Sequence, residues 1–215
     1  MRADIFLSVR SDVTVEELNR IRTRFPHAYL VGLVNRGRDI LPMLHVLPEL
    51  IARRYTAVCK LHGKKSLQLA NGTQWRNDLY AALLDPAIAA RITARFRCDA
   101  DLGLVCPTWS RVSLADPDRH VLNHWWLSAL LPRLGARERI GAFDFDFVAG
   151  SMFWFRPQAL APLLSLGLKI DDFELELGQV DGTLAHAVER LSILATEKAG
   201  FTTGLADERQ LTLAA

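Results

Sequence analysis

The stretch that decides the fold class runs from residue 28 to residue 61 and reads AYLVGLVNRGRDILPMLHVLPELIARRYTAVCKL. Continuous apolar runs at 28–34 and 55–61 are typical of buried strands. Between them lies a turn at 35–38, followed by a predicted helix over 41–54. Buried strands that alternate with helices favour an α/β domain with a mostly parallel central sheet flanked by helices.

The same alternation extends to both sides of this stretch. Upstream, the sequence predicts a strand over 4–9 and a helix over 14–25 with apolar residues at helical spacing. Downstream it predicts helices over 67–84, 86–96, 120–134, 158–164 and 181–197, and strands over 102–106, 143–155, 173–177 and 200–205. No repeat, low-complexity tract or linker interrupts the pattern, so residues 1–215 are expected to form a single domain.

Composition narrows the class of protein. Half of the 215 residues are hydrophobic and 23% are charged, which is typical of a globular chain and argues against disorder. The formal net charge of +2 does not indicate a nucleic-acid partner, although basic residues cluster around 53–65. Three cysteines without CxxC spacing favour reduced thiols. Without a signal-peptide core or a spanning apolar run, we expect a cytoplasmic protein, with a basic face able to contact an anionic membrane.

The motif GRDI at 37–40 lies between a predicted strand and a predicted helix. Ligands of open α/β sheets bind at this carboxyl edge of the strands. Asp39 is placed to cap the helix, and capping is the simpler interpretation of its role. Capping does not explain Arg36 and Arg38, which could hold a phosphate in a bidentate fork.

The motif KLHGKKS at 60–66 follows the next predicted strand. Four potential cations, Lys60, His62, Lys64 and Lys65, stand within six residues. A solvated basic loop would also explain them, but Lys60 and His62 alternate with apolar residues at the end of a buried strand. The start of the helix that follows also favours an anion. We therefore favour contact with a diphosphate leaving group.

Two carboxylates in FDFDF, Asp144 and Asp146, match the short D-x-D pattern that holds a divalent ion, Mn²⁺ or Mg²⁺, beside a diphosphate. Alternation with three phenylalanines equally describes one polar face of a half-buried strand. The pattern is common, so the strand interpretation is preferred and no metal or other cofactor is assigned.

Further candidates lie between 150 and 190. Glu174 and Glu176 in FELEL would share one strand face about 7 Å apart, where one of them could deprotonate an acceptor hydroxyl, or both could line an exposed face. Asp181 is placed either to cap the last long helix or to join a site. His186 and Arg190 fall opposite the apolar stripe of that helix, so His186 is expected to face solvent or a ligand cleft.

Long ordered blocks of the chain resemble the rhamnan synthesis F family of bacterial cell-surface polysaccharide assembly. They run from NRGRDILPML through KLHGKKS, GTQWRNDL and GSMFWFRP to GQVDGTLAHAVER. The resemblance implies transfer of a sugar, often rhamnose, from a nucleotide-sugar donor to a polysaccharide or lipid-linked glycan acceptor at the inner face of the membrane. It also implies the nucleotide-sugar transferase fold called GT-A.

Two features depart from what the resemblance implies. Barely twenty-five residues separate the first strand from GRDI, where a GT-A fold builds part of its nucleotide pocket. No D-x-D follows the third or fourth strand, and KLHGKKS stands at one such place.

These observations combine into a hypothesis of displacement at the anomeric carbon. In it, cations stabilise the departing nucleoside diphosphate and a carboxylate takes the acceptor proton. Gly150 and Ser151 would let the backbone approach the sugar, with Trp154 beside it. The donor site would comprise Arg38, Asp39, Lys60, His62, Lys64, Lys65 and His186, and the candidate bases would be Glu174, Glu176 and Asp181. A non-catalytic glycan- or partner-binding module and a sugar-phosphate transferase are the alternatives.

Overall fold

The computed structural model describes residues 3–63 and 72–207. Eight strands lie within these residues: β1 Phe6–Arg10, β2 Tyr29–Leu33, β3 Val58–Lys60, β4 Leu102–Cys106, β5 Arg111–Ser113, β6 Asp146–Val148, β7 Phe153–Phe155 and β8 Thr202–Leu205. The α-helices there are α1 Val15–Arg24, α2 Ile40–Ala52, α3 Gly72–Leu84, α4 Pro86–Cys98, α5 His124–Leu130, α6 Leu184–Glu189 and α7 Ser192–Lys198. A longer 3-10 segment, Pro157–Leu166, replaces the helix predicted over 158–164.

The N-terminal unit follows the predicted alternation. Strands β1 and β2 pair in parallel, and α1 connects them. Thr14 begins α1 with a capping box, in which its hydroxyl accepts from the Glu17 amide and the Glu17 carboxylate accepts from the Thr14 amide. Phe6 and Tyr29 stack at 4.8 Å between ring centroids across the two strands. Local sequence signals are therefore sufficient for this part of the fold.

The prediction of a mostly parallel sheet is wrong. The largest sheet has the order β3-β7-β4-β8, and β7 runs antiparallel to both of its neighbours. The cause lies in the predicted strand 143–155, which is interrupted by Gly150 and Ser151 at φ of 83° and 52°. The first part, β6, pairs with β5, and the part after the turn, β7, enters the large sheet. The architecture is α/β with mixed sheets.

Two other predicted elements are also broken up. The segment FELEL makes a single β-bridge, from Leu175 to Arg36, and not a strand. The helix predicted over 181–197 divides into α6 and α7, with Arg190 and Leu191 between them. Most residues of both halves are buried, so tertiary packing outweighs helical continuity here.

Strand direction places the ends of three strands at one edge of the sheet. β3, β4 and β8 point the same way, so the residues after them lie at that edge together with the residues before β7. We call this the carboxyl edge. None of the helices in residues 3–63 and 72–207 is long and apolar enough to cross a membrane.

Candidate functional site

A buried lysine organises the carboxyl edge. Lys60 ends β3, and its ammonium group donates to the carbonyl oxygen of Ser151 at 2.6 Å, to the Ser151 hydroxyl at 2.8 Å and to the Asp39 carboxylate. An ammonium group has three N–H donors, so this lysine is saturated by protein acceptors. Lys60 therefore positions Asp39 and Ser151, and its ammonium has no donor left for a phosphate.

Asp39 does not cap α2 as predicted. It occupies the residue before α2, yet its side chain makes no capping hydrogen bond and pairs with Lys60 instead. Burial alone would raise the pKa of Asp39, but the Lys60 ammonium outweighs burial and holds that pKa well below its usual range. Asp39 is thus an ionised carboxylate paired inside the site.

The backbone on both sides of this pair is unusual. Arg38 and Ser151 are non-glycine residues in the left-handed region, at φ of 56° and 52°. Each follows a glycine that is also left-handed, Gly37 or Gly150. Non-glycine residues in this region cost free energy and often cluster at ligand sites. The Lys60 hydrogen bonds hold one of the two strained turns directly and the other through Asp39.

His62 extends the site along the edge. Its Nε2 lies 2.8 Å from the Gly150 carbonyl oxygen, so Nε2 carries the proton and donates it. Burial lowers the pKa of His62, and the positive charge of Lys60 adds to this effect, so the ring is neutral. Its Nδ1 is buried and, among the described residues, has no hydrogen-bond partner. Among the described residues, this acceptor nitrogen of the His62 ring is therefore left unpaired.

Arg38 places a guanidinium group at the same edge. Among the described residues its one hydrogen bond runs from an Nη to the Gln179 carbonyl oxygen at 2.8 Å, which leaves other N–H donors for a ligand. Arg36, by contrast, donates to the Phe173 carbonyl oxygen at 3.0 Å and lies 3.8 Å from the Asp171 carboxylate. Of the two arginines in the predicted phosphate fork, Arg38 is the one with capacity to bind an anion.

A second charged group surrounds Asp181. Its carboxylate accepts from Arg190 at 2.9 Å, from the Asn123 side chain at 2.9 Å and from the Gly182 amide at 2.9 Å. Arg190 also donates to the carbonyl oxygens of Arg119 and His186, each at 2.8 Å. Asp181 does not cap α6, because Thr183 occupies that position. The pair joins the start of α6 to its end and to the segment before α5.

His186 is buried, which differs from the predicted exposure to solvent or a cleft. Its Nδ1 accepts from the Thr183 amide at 3.3 Å and lies 2.7 Å from the Thr183 hydroxyl, which completes the cap of α6. Burial, reinforced by the positive charge of Arg38, lowers the pKa of His186 to about 4. The ring is neutral at physiological pH, so its 3.9 Å approach to Asp181 is not an ion pair.

The two glutamates of FELEL have separate surroundings. Both carboxylate oxygens of Glu174 accept from the Leu184 amide, each at 3.1 Å, at the first residue of α6. This contact assigns Glu174 to the start of that helix. Glu176 is half-buried, and its backbone N–H approaches the Asn35 carbonyl oxygen at 3.4 Å beside the turn that contains Arg38.

Glu189 is a site residue that the sequence pattern did not reveal. It is the last residue of α6 and is half-buried. Burial and the nearby negative charge of Asp39 raise the pKa of Glu189 to about 7, although Arg190, Lys60 and Arg38 oppose the shift. Its place at the end of a helix predicted to continue to 197 concealed it, because only the break at Arg190 and the approach of α2 bring it to Asp39.

Three predicted residues lie apart from this group. Asp144 pairs with Arg139 at 3.0 Å, and Asp146 pairs with Arg111 at 2.7 Å. Within residues 3–63 and 72–207, no three acidic, histidine or cysteine side chains gather as metal ligands. Trp154 is in the core, where its indole N–H donates to the Leu83 carbonyl oxygen at 3.0 Å. Its ring therefore has no exposed face for a sugar.

Lys64 and Lys65 lie outside the described residues, so their role stays a prediction. The described part of the motif KLHGKKS ends at Gly63, whose carbonyl oxygen accepts from Arg76 at 3.1 Å.

Together, the fold and the site define an α/β domain with mixed sheets and a charged site at the carboxyl edge of the largest sheet. The chain belongs to the rhamnan synthesis protein F family, whose model matches residues 1–201. This membership connects the chain with the synthesis of rhamnan, a polysaccharide, and confirms the resemblance seen in the sequence blocks.

Two curated relatives are similar to the chain. Both are described as uncharacterized protein WxcX, one from Xanthomonas campestris pv. campestris strain B100 and one from strain ATCC 33913. Each is 39% identical over 204 residues, which is 89% of this chain and 27% of the relative. The chain therefore spans about a quarter of the length of the curated relatives it matches. No solved structure matches the chain significantly.

Proposed function

We propose that this chain transfers a sugar from a nucleotide-sugar donor to a glycan acceptor in the synthesis of a cell-surface polysaccharide, in the cytoplasm at the inner face of the membrane. Family membership supports the polysaccharide. The GT-A-like fold that the resemblance implies is part of this proposal and not of the observed architecture. The proposal rests on one observation, which is the convergence of Arg38, Glu189 and the Asp39–Lys60–Ser151 group at the carboxyl edge.

The proposed leaving-group site uses Arg38. When a glycosyl donor is cleaved, negative charge builds on the diphosphate oxygen that leaves the anomeric carbon. A guanidinium with spare N–H donors stabilises that charge by bidentate hydrogen bonds. Lys64 and Lys65 follow Gly63 in the sequence and are proposed to add positive charge to the same phosphates. Lys60 helps to position Arg38, because it pairs with Asp39, the next residue in the chain.

The proposed general base is Glu189. A base is most effective when its pKa is close to the working pH, and the pKa of Glu189 is raised to about 7. The earlier candidates Glu174 and Asp181 are occupied by the Leu184 amide and by Arg190, respectively. Among the described residues, Glu189 makes no hydrogen bond or ion pair. Its charged neighbours change its pKa through electrostatic interactions only. In the proposed step Glu189 accepts the proton of the acceptor hydroxyl, and the acceptor oxygen forms a bond to the anomeric carbon. The anomeric C–O bond to the diphosphate breaks at the same time, and the nucleoside diphosphate leaves as an anion.

A divalent ion is not assigned to a protein site in this proposal. Asp144 and Asp146 are each neutralised by an arginine, and the described residues provide no third ligand beside them. These residues therefore do not fit an Mn²⁺ or Mg²⁺ site as they stand.

The experiment that tests the proposal is thermal unfolding of the purified chain with UDP, GDP, dTDP and their sugars, with and without manganese. A ligand that binds the native state must raise the unfolding midpoint. We expect one nucleoside diphosphate to raise it in the wild type and to raise it less in Arg38→Gln. Arg20→Gln, on the exposed surface of α1, is the matched control and keeps the full shift.

Product analysis then separates the alternatives. A nucleoside diphosphate released from the donor supports glycosyl transfer, whereas a monophosphate identifies a sugar-phosphate transferase. If none of the nucleotides or nucleotide sugars shifts the midpoint, the proposal is wrong, and a non-catalytic glycan- or partner-binding module replaces it. Glu189→Gln distinguishes the base from a structural group, because the variant should bind the nucleotide normally and lose transfer.

A further inference from the structure

Two tryptophans lie beside the charged site and have no role in the steps proposed so far. Trp109 follows β4 in a 3-10 turn and is 43% exposed. Trp75 is half-buried on α3, and the two ring centroids are 4.6 Å apart at an interplanar angle of 72°. Trp75 packs against the smaller hydrophobic cluster, but burial does not account for Trp109, because its exposed ring gains little from it.

The strand order fixes where this pair lies. Lys60 and His62 follow β3, Gly150 and Ser151 precede β7, and Trp109 follows β4, which is the next strand of the sheet. Strands two positions apart are separated by about 10 Å. The Trp109 turn therefore lies on the same carboxyl edge as Lys60, one strand beyond the Gly150–Ser151 turn.

Direct contacts join the pair to the strained turn. The indole nitrogen of Trp75 lies 3.1 Å from the position that a Cβ atom on Gly150 would occupy. The amide of Ala149 donates to the Ser110 carbonyl oxygen at 2.8 Å, next to Trp109. Trp75 thus lies against Gly150, and the turn that carries Trp109 is tied to the segment before Gly150 by the neighbouring Ser110.

Polar groups stand in the same turn as Trp109. The Thr108 hydroxyl donates to the Asp207 carboxylate at 3.1 Å, between the ends of β4 and β8. An aromatic face beside a carboxylate and a hydroxyl matches a pyranose ring, which has an apolar C–H face and polar edges.

We propose that Trp75 and Trp109 form a subsite for one pyranose ring of the glycan acceptor, next to the charged site on the carboxyl edge. The inference rests on the proposed function for the identity of the ligand as a glycan. The stacked ring would direct the acceptor hydroxyl of the growing end toward Ser151 and Glu189, and the remainder of the glycan would extend past Asp207.

The test is calorimetric titration of the chain with a rhamnose trisaccharide, in the absence of any nucleotide. We expect saturable binding by the wild type, and affinity lowered about tenfold or more in Trp109→Ala. Trp109→Phe, which keeps an aromatic face, should recover part of the affinity. Trp125→Ala is the matched control, because Trp125 is 70% exposed and also forms an edge-to-face pair, with Trp126 on α5.

Unchanged affinity in Trp109→Ala, a larger loss in Trp125→Ala, or no binding of the trisaccharide by the wild type at millimolar concentration each overturns the inference. Nucleotide binding is measured on the same samples to separate the two proposals. A wild type that binds a nucleoside diphosphate but not the trisaccharide refutes the subsite and leaves the transferase intact. Trisaccharide binding that depends on Trp109 without any nucleotide binding supports the subsite and refutes the transferase.

Discussion

Lys60 donates hydrogen bonds to both the carbonyl oxygen and the hydroxyl of Ser151, at 2.6 and 2.8 Å. The two residues are 91 positions apart in the sequence, and the contact joins the end of β3 to the turn before β7. Because the third donor of the ammonium group goes to Asp39, a single lysine holds three segments of the chain together. The charged site is therefore built around a positioning residue, and in the proposed function the groups that surround Lys60 bind the ligand.

The first prediction concerns this pairing. Lys60→Met leaves the Asp39 carboxylate without its partner in a largely buried place, which should lower the free energy of unfolding by about 3–5 kcal/mol. The double variant Asp39→Asn/Lys60→Met removes the orphaned charge and should recover part of the loss. Urea denaturation of the single and double variants measures both.

The exposed pair of Arg10 and Asp12 provides the control for that experiment. Its atoms are 2.9 Å apart, but the side chains are 61% and 70% exposed. Asp12→Asn should leave the denaturation midpoint unchanged, because solvent screens such pairs. Equal effects of Lys60→Met and Asp12→Asn would contradict the central role of Lys60.

A second prediction follows from the raised pKa of Glu189. Between the ordinary carboxyl pKa of 4.5 and about 7, the unfolded chain loses a proton that the native state keeps. The native state is therefore progressively destabilised as pH rises through this window, and the cost is constant above it. The free energy of unfolding of Glu189→Gln should exceed that of the wild type by about 1–3 kcal/mol at pH 8. At pH 4 the two values should differ little.

Denaturant unfolding at several pH values between 4 and 8 measures this difference. Glu197→Gln, an exposed substitution on α7, is the control and should show a flat difference across the same range. A gain in stability together with a loss of sugar transfer is expected when a functional carboxylate is held in an unfavourable, buried place. A Glu189→Gln variant that is less stable at pH 8 would refute the assignment.

The third prediction concerns His186, whose effect on stability changes with pH in the opposite direction to that of Glu189. The pKa of His186 is lowered from 6.5 to about 4. Between these pH values the unfolded chain binds a proton on this histidine and the native state does not. The contribution of His186 to stability is complete above pH 6.5 and is lost as pH falls toward 4. His186→Asn should remove up to about 3 kcal/mol of that pH dependence.

Unfolding free energies at pH 7 and pH 4.5 are sufficient to check it. The exposed His27 offers the matched substitution, His27→Asn, which should keep the pH dependence of the wild type. If His186→Asn and the wild type lose equal stability between these pH values, His186 is not a buried neutral ring in the native state.

The fourth prediction concerns the turn before Asp39. Gly37 has a φ of 64°, and a Cβ atom there would lie 2.6 Å from Cβ of Leu41 and 2.7 Å from the Phe173 ring. Gly37→Ala should therefore lower the free energy of unfolding by about 2 kcal/mol or more, through strain and displacement of α2. Gly32→Ala, where nothing lies within 4 Å, is the control, and thermal unfolding of the two variants compares them.

Much of the secondary structure could be predicted from the sequence. Strand β4 occurs at the predicted residues 102–106, and β1, β2, α1, α2 and α4 occur within a few residues of their predicted bounds. Their signals are local, because apolar runs and apolar periodicity are read from neighbouring positions. The antiparallel β7 was missed because one apolar run, 143–155, was divided between two sheets.

For the site, the sequence indicated which segments of the chain contribute residues, but not what each residue does. Residue type alone marked Arg38, Asp39, Lys60, His62 and Ser151, and the fold brings these five together. Residue type could not show that the three donors of Lys60 are occupied, because its acceptors come from distant segments. Glu189 escaped notice for the same reason, since a glutamate on an amphipathic helix has no local feature that reveals its burial.

By itself, the sequence determined the α/β class, the family and the segments from which the site is built, because periodicity, capping and ordered motifs are encoded in consecutive residues. Only the tertiary structure decided the direction of β7, the place of Trp75 beside Gly150 and the charge state of Asp39, His186 and Glu189. Those properties depend on burial and on charges brought from positions far apart in the chain, and no local pattern contains that information.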